Sequence, residues 1–236
     1  MSARPLTVLA VVAGLLLILA AVTVPLWMAA PGIGDVQAAQ ILWDNQMANF
    51  TYAVAVLLSC VLITPVIVTL TTRLHAVRPG YAVLTGSVFL FGLVLEAAGT
   101  MASLSRWAGA ITGTLSGDAL WLAIYQSLTM LYLAVDFSGV ALIYVAAALY
   151  VVALWPLHRP SAYALTASIA LLIVGFLLPG FYSTAVLAVS ISVYGLAYAA
   201  LGFAAASLAA SVRPSAGQQP ARKPAHEQRP TRRRRR

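Results

Sequence analysis

ALWLAIYQSLTMLYLAVDFSGVALIYVAAALYVVALWPL, residues 119–157, runs for 39 residues with Asp136 as its only charge. A bilayer hydrocarbon core of about 30 Å takes roughly 20 apolar residues as a helix. At ~1.5 Å per residue this stretch reaches about 58 Å. It is therefore either one tilted helix crossing core and headgroups together, or two short helices turning at Asp136-Phe137-Ser138-Gly139. Trp121 and Trp155 stand near its two ends, where interfacial aromatics belong. One helix gives a chain of six spans; two give seven.

The basic residues choose between these. Of the 14 Lys and Arg residues, nine lie in the last 24 positions, and only Arg4, Arg73, Arg78, Arg106 and Arg159 precede them. With six spans and the N-terminus inside, all but Arg106 fall on the cytoplasmic side. With seven spans and the tail kept inside, Arg4, Arg73 and Arg78 move outside, against the positive-inside rule. The sequence reads as an all-α, polytopic transmembrane helical bundle of six spans with both termini cytoplasmic. The spans are about 6–30, 45–72, 81–105, 119–157, 161–178 and 181–212, and a disordered polybasic tail covers 213–236. Pro65 predicts a kink in the second span, and Pro179-Gly180 divides the last two. The first span is read as uncleaved, since its 25 residues outrun the ~7–15 of a secretory signal.

Composition excludes several classes of function. The chain is 61% hydrophobic and 8% charged, with a mean hydropathy of +0.91; a soluble domain carries roughly 25% charged residues. The net charge of +8 does not mark a nucleic-acid binder, because the body is neutral once the tail is set aside. Lys223, the only lysine, lies in the tail, so no intramembrane Schiff base forms on this chain. His75, His158 and His226 fall outside the spans, and Cys60 is the only cysteine, so no metal-ligand spacing exists. Ser and His do not occur together within the spans, and Asp44 lies too near the surface to face Asp136 as a proteolytic pair. Neither an enzyme, a cofactor nor a metal is expected.

Acidic residues in a bilayer cost about 2.5–3.5 kcal/mol on insertion scales, so each invites a reason. Glu96 shares a helical stripe with Gly92, Gly99, Ser103 and Arg106, and the small residues there let another helix approach. Asp136 shares a face with Tyr125, Thr129 and Tyr132. Asp44 and Asn45 open the second span, where either can cap it. Asp44, Asn49, Glu96, Arg106, Tyr125, Gln126 and Asp136 are expected to line a polar cavity open to the outside, a site for a small molecule or ion. The competing expectation is a set of interhelical hydrogen bonds, with Arg106 paired to Asp44 or Asp118. Ser190, Tyr194 and Tyr198 form a face of the last span that can reach the cavity.

Gly195, Ala199, Gly202 and Ala206 form a small-residue stripe, read as an internal packing seam or a homo-oligomer face. Residues 74–85 and 157–166 echo one another about 82 positions apart, which fits either a duplicated hairpin or two turns under the same demands. In the tail, Arg232, Arg233, Arg234, Arg235 and Arg236 are expected to contact anionic lipid headgroups of the bilayer. From Leu6 to Val212 the layout, in span order and loop length, resembles the small six-span bacterial membrane proteins of unknown function. That resemblance implies a multi-pass protein of a bacterial inner (cell) membrane and transfers no active residues. Two functional classes follow: a small transporter with an outward-facing cavity, or a non-catalytic scaffold or regulatory subunit. The second would contact anionic lipid or a membrane-protein partner through its basic tail.

Overall fold

Long apolar runs form helices in this chain because, away from water, each backbone N–H must find its acceptor within its own segment. The computed structural model describes residues 3–28, 33–108, 110–177 and 184–211. The tail and Pro179-Gly180 lie outside the described residues. Within them the chain is entirely helical: α1 (Ala3–Trp27), α2 (Asp35–Asp44), α3 (Gln46–His75), α4 (Pro79–Ala108), α5 (Ala110–Leu115), α6 (Ala119–Leu154), α7 (Arg159–Leu177) and α8 (Thr184–Ser211). Five helices are long and apolar enough to cross a membrane, namely α1, α3, α4, α6 and α8. α7 is a shorter apolar helix, 19 residues or about 28 Å long. The chain is thus a multi-pass, membrane-embedded helical bundle.

Ala119–Leu154 form one continuous helix through Asp136-Phe137-Ser138-Gly139, so the two-helix reading does not hold. Asp118 starts it, its side chain accepting from the Leu120 and Trp121 N–H groups at 2.8 and 3.4 Å. The extra length has a use. The first turns of α6 stand against α5, where Gly113 leaves room for the Trp121 ring and the Thr114 hydroxyl donates to the Trp121 carbonyl at 3.4 Å.

The long helices close into a ring. α1 packs on α3 and α8, α3 on α4, α4 on α6, α6 on α7 and α7 on α8, while α3 also meets α8 across the middle. Two backbone-to-backbone seams hold it. Gly14 of α1 and Gly195 of α8 approach so closely that a Cβ on either would lie within 2.6 Å of the other's carbonyl oxygen. Gly202 meets the Ala10 methyl in the same seam, so α1 and α8 are antiparallel and their chain ends share one face of the bundle. The small-residue stripe of α8 is therefore an internal seam at these two glycines. The second seam joins α4 and α6, where Gly92, Gly99 and Gly139 bring the helices together around Glu96 and Asp136.

Arg73 ends α3, Arg78 precedes α4 and Arg159 starts α7 at one end of the bundle, and Arg4 lies at the same end in α1. The turns there share hydrogen bonds. Arg78 N–H donates to Leu74 O and Ala82 N–H to Arg78 O; His158 N–H donates to Leu154 O and Ala162 N–H to His158 O. The echo between these segments is thus one turn geometry used twice. At the opposite end α2 and α5 pack together across the mouth of the bundle, Ala39 and Leu42 of α2 are buried, and Gln126 of α6 donates to Asp35 of α2. Neither helix was expected. Asp44 consequently ends α2, accepting from Gln40 at 2.7 Å, and the expected Asp44 or Asn45 side-chain cap on α3 is absent; Asn45 donates back to Ile41 O instead.

Candidate functional site

Seven side chains were expected at one cavity, and the structure gathers them unequally. Glu96 and Asp136 line a common cavity of about 70 Å³ inside the ring, with Tyr52, Tyr132, Tyr144, Ser190 and Tyr194 supplying its other polar groups. Leu17, Val56, Leu133, Phe137, Val140, Leu172 and Ile191 form its apolar walls. Asn49, Arg106 and Tyr125 are buried nearer the mouth. Asp44 and Gln126 are exposed and are occupied by Gln40 and Asp35, so they do not reach the cavity.

Glycine geometry sets the acids in place. A Cβ on Gly99 would fall 2.9 Å from the Asp136 backbone, and one on Gly139 would fall 2.6 Å from the Glu96 nitrogen. Only with hydrogen at these positions do α4 and α6 come close enough to place both carboxylates at one level. Glu96 is 4% exposed. Its Oε2 accepts from the Tyr194 hydroxyl at 2.9 Å, and the Tyr194 oxygen accepts from the Tyr198 hydroxyl at 2.9 Å. Each tyrosine has one proton to donate, so the relay is polarised toward the carboxylate. The Tyr194 and Tyr198 rings lie 4.7 Å apart, and Tyr198 leans on Phe89 at 6.0 Å. Below them Ile63, Ile67, Leu70 and Leu201 are fully buried, and the next polar pair is Thr71–Tyr150, whose hydroxyls lie 3.0 Å apart. The cavity is thus sealed by an apolar layer from the end that carries Arg73 and Arg78.

Toward the mouth, Tyr52 and Tyr132 both line the cavity. Trp27 packs on the far side of Tyr52, with ring centroids 5.0 Å apart. Arg106 lies over the Tyr132 and Tyr125 rings at 5.3 and 5.7 Å from their centroids and donates to Thr129 at 3.5 Å. The expected pairing of Arg106 with Asp44 or Asp118 is not formed: Asp118 caps α6 and Asp44 holds Gln40. Tyr52 and Trp27 were missed, because an aromatic near a span end reads as an interfacial belt residue, and Tyr144 was missed within the long apolar run of α6. Their helical spacing on otherwise apolar faces was the available signal.

The chemistry of this arrangement is narrow. A water needs roughly 10–15 Å³ of such space and organic ligands occupy about 300–1,000 Å³. A 70 Å³ cavity therefore holds a few waters or one small ion. Its oxygens are carboxylate and phenol, hard ligands suited to protons and small hard cations. No group of three His, Cys, Asp or Glu side chains gathers among the described residues. Compared with known proteins, the chain matches no protein family, no curated sequence and no solved structure.

Proposed function

We propose that this chain is an ion transporter in which Glu96 and Asp136 take up a proton or a small hard cation. One observation carries this reading: a carboxylate buried at mid-bundle, held by a directed tyrosine relay, shares a water-sized cavity with a second carboxylate. Burying two acids side by side is costly in any membrane protein, and interhelical hydrogen bonding alone is served by neutral groups. The polar lining extends toward the mouth while the opposite side is apolar, which is the form of a carrier occluded on one side.

The same proposal includes six spans with both termini cytoplasmic. It is supported by the antiparallel α1–α8 seam and by α7 packing on α8 with Ser161 bonded to Ala200 while Leu172 and Ile191 line the same cavity. Arg4, Arg73, Arg78 and Arg159 at one end support reading that end as the cytoplasmic face, on this proposal that of a bacterial cell membrane. The tail, ending in Arg232 to Arg236, then lies beside the inner leaflet, where each residue near the surface gains about 1 kcal/mol from anionic lipid.

The test is flux. The full chain is reconstituted in liposomes containing a pH-sensitive dye, and a pH gradient is imposed in Na⁺, Li⁺, K⁺ or choline salts. The expected result is a faster decay than in empty liposomes, dependent on the external cation or on pH alone, and lost in Glu96→Gln and Asp136→Asn. Decays that match empty liposomes in every salt would remove the proposal and favour the scaffold reading.

A further inference from the structure

Arg106 presents a separate problem from the carboxylates below it. It is 6% exposed, in the last turn of α4, at the mouth covered by α2 and α5. A guanidinium taken out of water needs a counter-charge or a full set of acceptors. Arg106 has one long hydrogen bond, 3.5 Å to the Thr129 hydroxyl, and its Nε–H has no acceptor. The two tyrosine faces attract the cation but accept no N–H in the guanidinium plane.

No acid among the described residues pairs with Arg106. Asp118 caps α6, Asp35 holds Gln126 and Asp44 holds Gln40. Glu96 is bound by Tyr194, and Asp136 lines the cavity together with Tyr132. Beside Arg106 the unmet groups accumulate. Ser103, one turn before it on the same helix, is fully buried with its hydroxyl unpartnered. Asn49, 1% exposed, has its side-chain oxygen unpartnered. With Thr71 facing Gly86, the antiparallel register of α3 and α4 puts Asn49 level with the Arg106 turn. Its amide offers N–H or C=O according to which way round it sits.

We propose that the mouth of the bundle is a binding site for a small monovalent anion, a halide or short carboxylate, held by Arg106 Nε–H and the Ser103 hydroxyl, both unpartnered in the protein. The anion completes the coordination of a buried cation that the protein itself leaves without a counter-charge. This does not rest on the ion-transport reading, and the site stands on different residues from Glu96 and Asp136. Ser103 is fully buried and Arg106 is 6% exposed, so the space at these two groups suits a small anion rather than a bulky one.

The thermal midpoint of the purified full chain in detergent, titrated with chloride, nitrate or formate against gluconate at equal ionic strength, tests this. The expected result is a saturable rise of several degrees with one or more of the small anions, absent in Arg106→Gln and retained in Arg159→Gln at the other end. Arg106→Gln alters a buried group of α4, so Ser103→Ala serves as the second variant. Losing one of the two ligating hydrogens should raise the concentration for half effect by about threefold to tenfold. A midpoint in all three salts equal to that in gluconate would overturn the proposal. So would a response in Ser103→Ala, or in a folded Arg106→Gln, that matches the parent. A response to formate alone would assign the carboxylate, and a response to chloride alone the halide.

Discussion

Gly139 lies where α6 crosses α4, and replacing it with alanine tests whether the close seam sets the carboxylate geometry. An added Cβ would fall 2.6 Å from the Glu96 nitrogen and 2.9 Å from the Gly92 carbonyl oxygen, where 3.4 Å is the near edge of ordinary contact. Both are backbone atoms and cannot swing away, so the helices must part by about 0.8 Å, the difference between 3.4 and 2.6 Å. A gap of roughly 0.5–1 Å forfeits a quarter to a half of each dispersion contact it opens. Overpacking of this kind costs about 1–3 kcal/mol. Alanine's better helix propensity offsets up to ~1 kcal/mol of it. Gly80→Ala isolates that offset, because nothing lies within 4 Å of its added Cβ in the first turn of α4. Gly139→Ala is therefore expected to be less stable than Gly80→Ala by about 1–3 kcal/mol. SDS titration of the two purified variants in one detergent, with thermal midpoints as a second readout, measures the difference. Equal stability of the pair would refute the seam.

The hydroxyl relay predicts an asymmetry between two similar substitutions. Tyr194→Phe removes the donor to Glu96 and the acceptor of Tyr198 together, and each buried group so orphaned costs about 1–3 kcal/mol. Tyr198→Phe removes only a terminal donor, at about 0.5–1.5 kcal/mol; equal losses in SDS unfolding would count against the relay's direction. Gly117 has φ +80° in the turn before α6, so Gly117→Ala should cost about 1 kcal/mol in the same assay. Fusion of a topology reporter after Arg4 or at Arg78 should read cytoplasmic, and an external reading at either would overturn the six-span orientation.

Much of the fold was legible because its physics is one-dimensional. The absence of charge over long runs marks the apolar helices, and the arginines mark one end. The glycine stripe on α4 correctly signalled a close neighbour at Glu96, since only small side chains permit such an approach. The face carrying Tyr125, Thr129, Tyr132 and Asp136 was legible for the same reason of helical periodicity. What was not legible depended on which helices meet. Nothing local to Tyr194 specifies Glu96, 98 positions away, as its acceptor. Asp44 looked like a cap on α3 because α2 ahead of it is short and only partly apolar, its buried face resting on just Ala39 and Leu42. Gln126 and Arg106 looked equivalent as polar residues near the mouth. Helix rotation decides between them, turning Gln126 out to Asp35 and Arg106 inward over the tyrosines.

The central claim is that Glu96 and Asp136 share a wet cavity reached from the side opposite Arg73 and Arg78. Single cysteines at Tyr132 and Asp136, placed in a Cys60→Ala background, are exposed in intact membranes to a membrane-impermeant thiol reagent added from either side. The account predicts reaction at Tyr132→Cys and Asp136→Cys from the outer side, well above an Ile63→Cys control in the apolar layer. Protection of both positions to the level of Ile63→Cys, or reaction only from the side of Arg73 and Arg78, would contradict it.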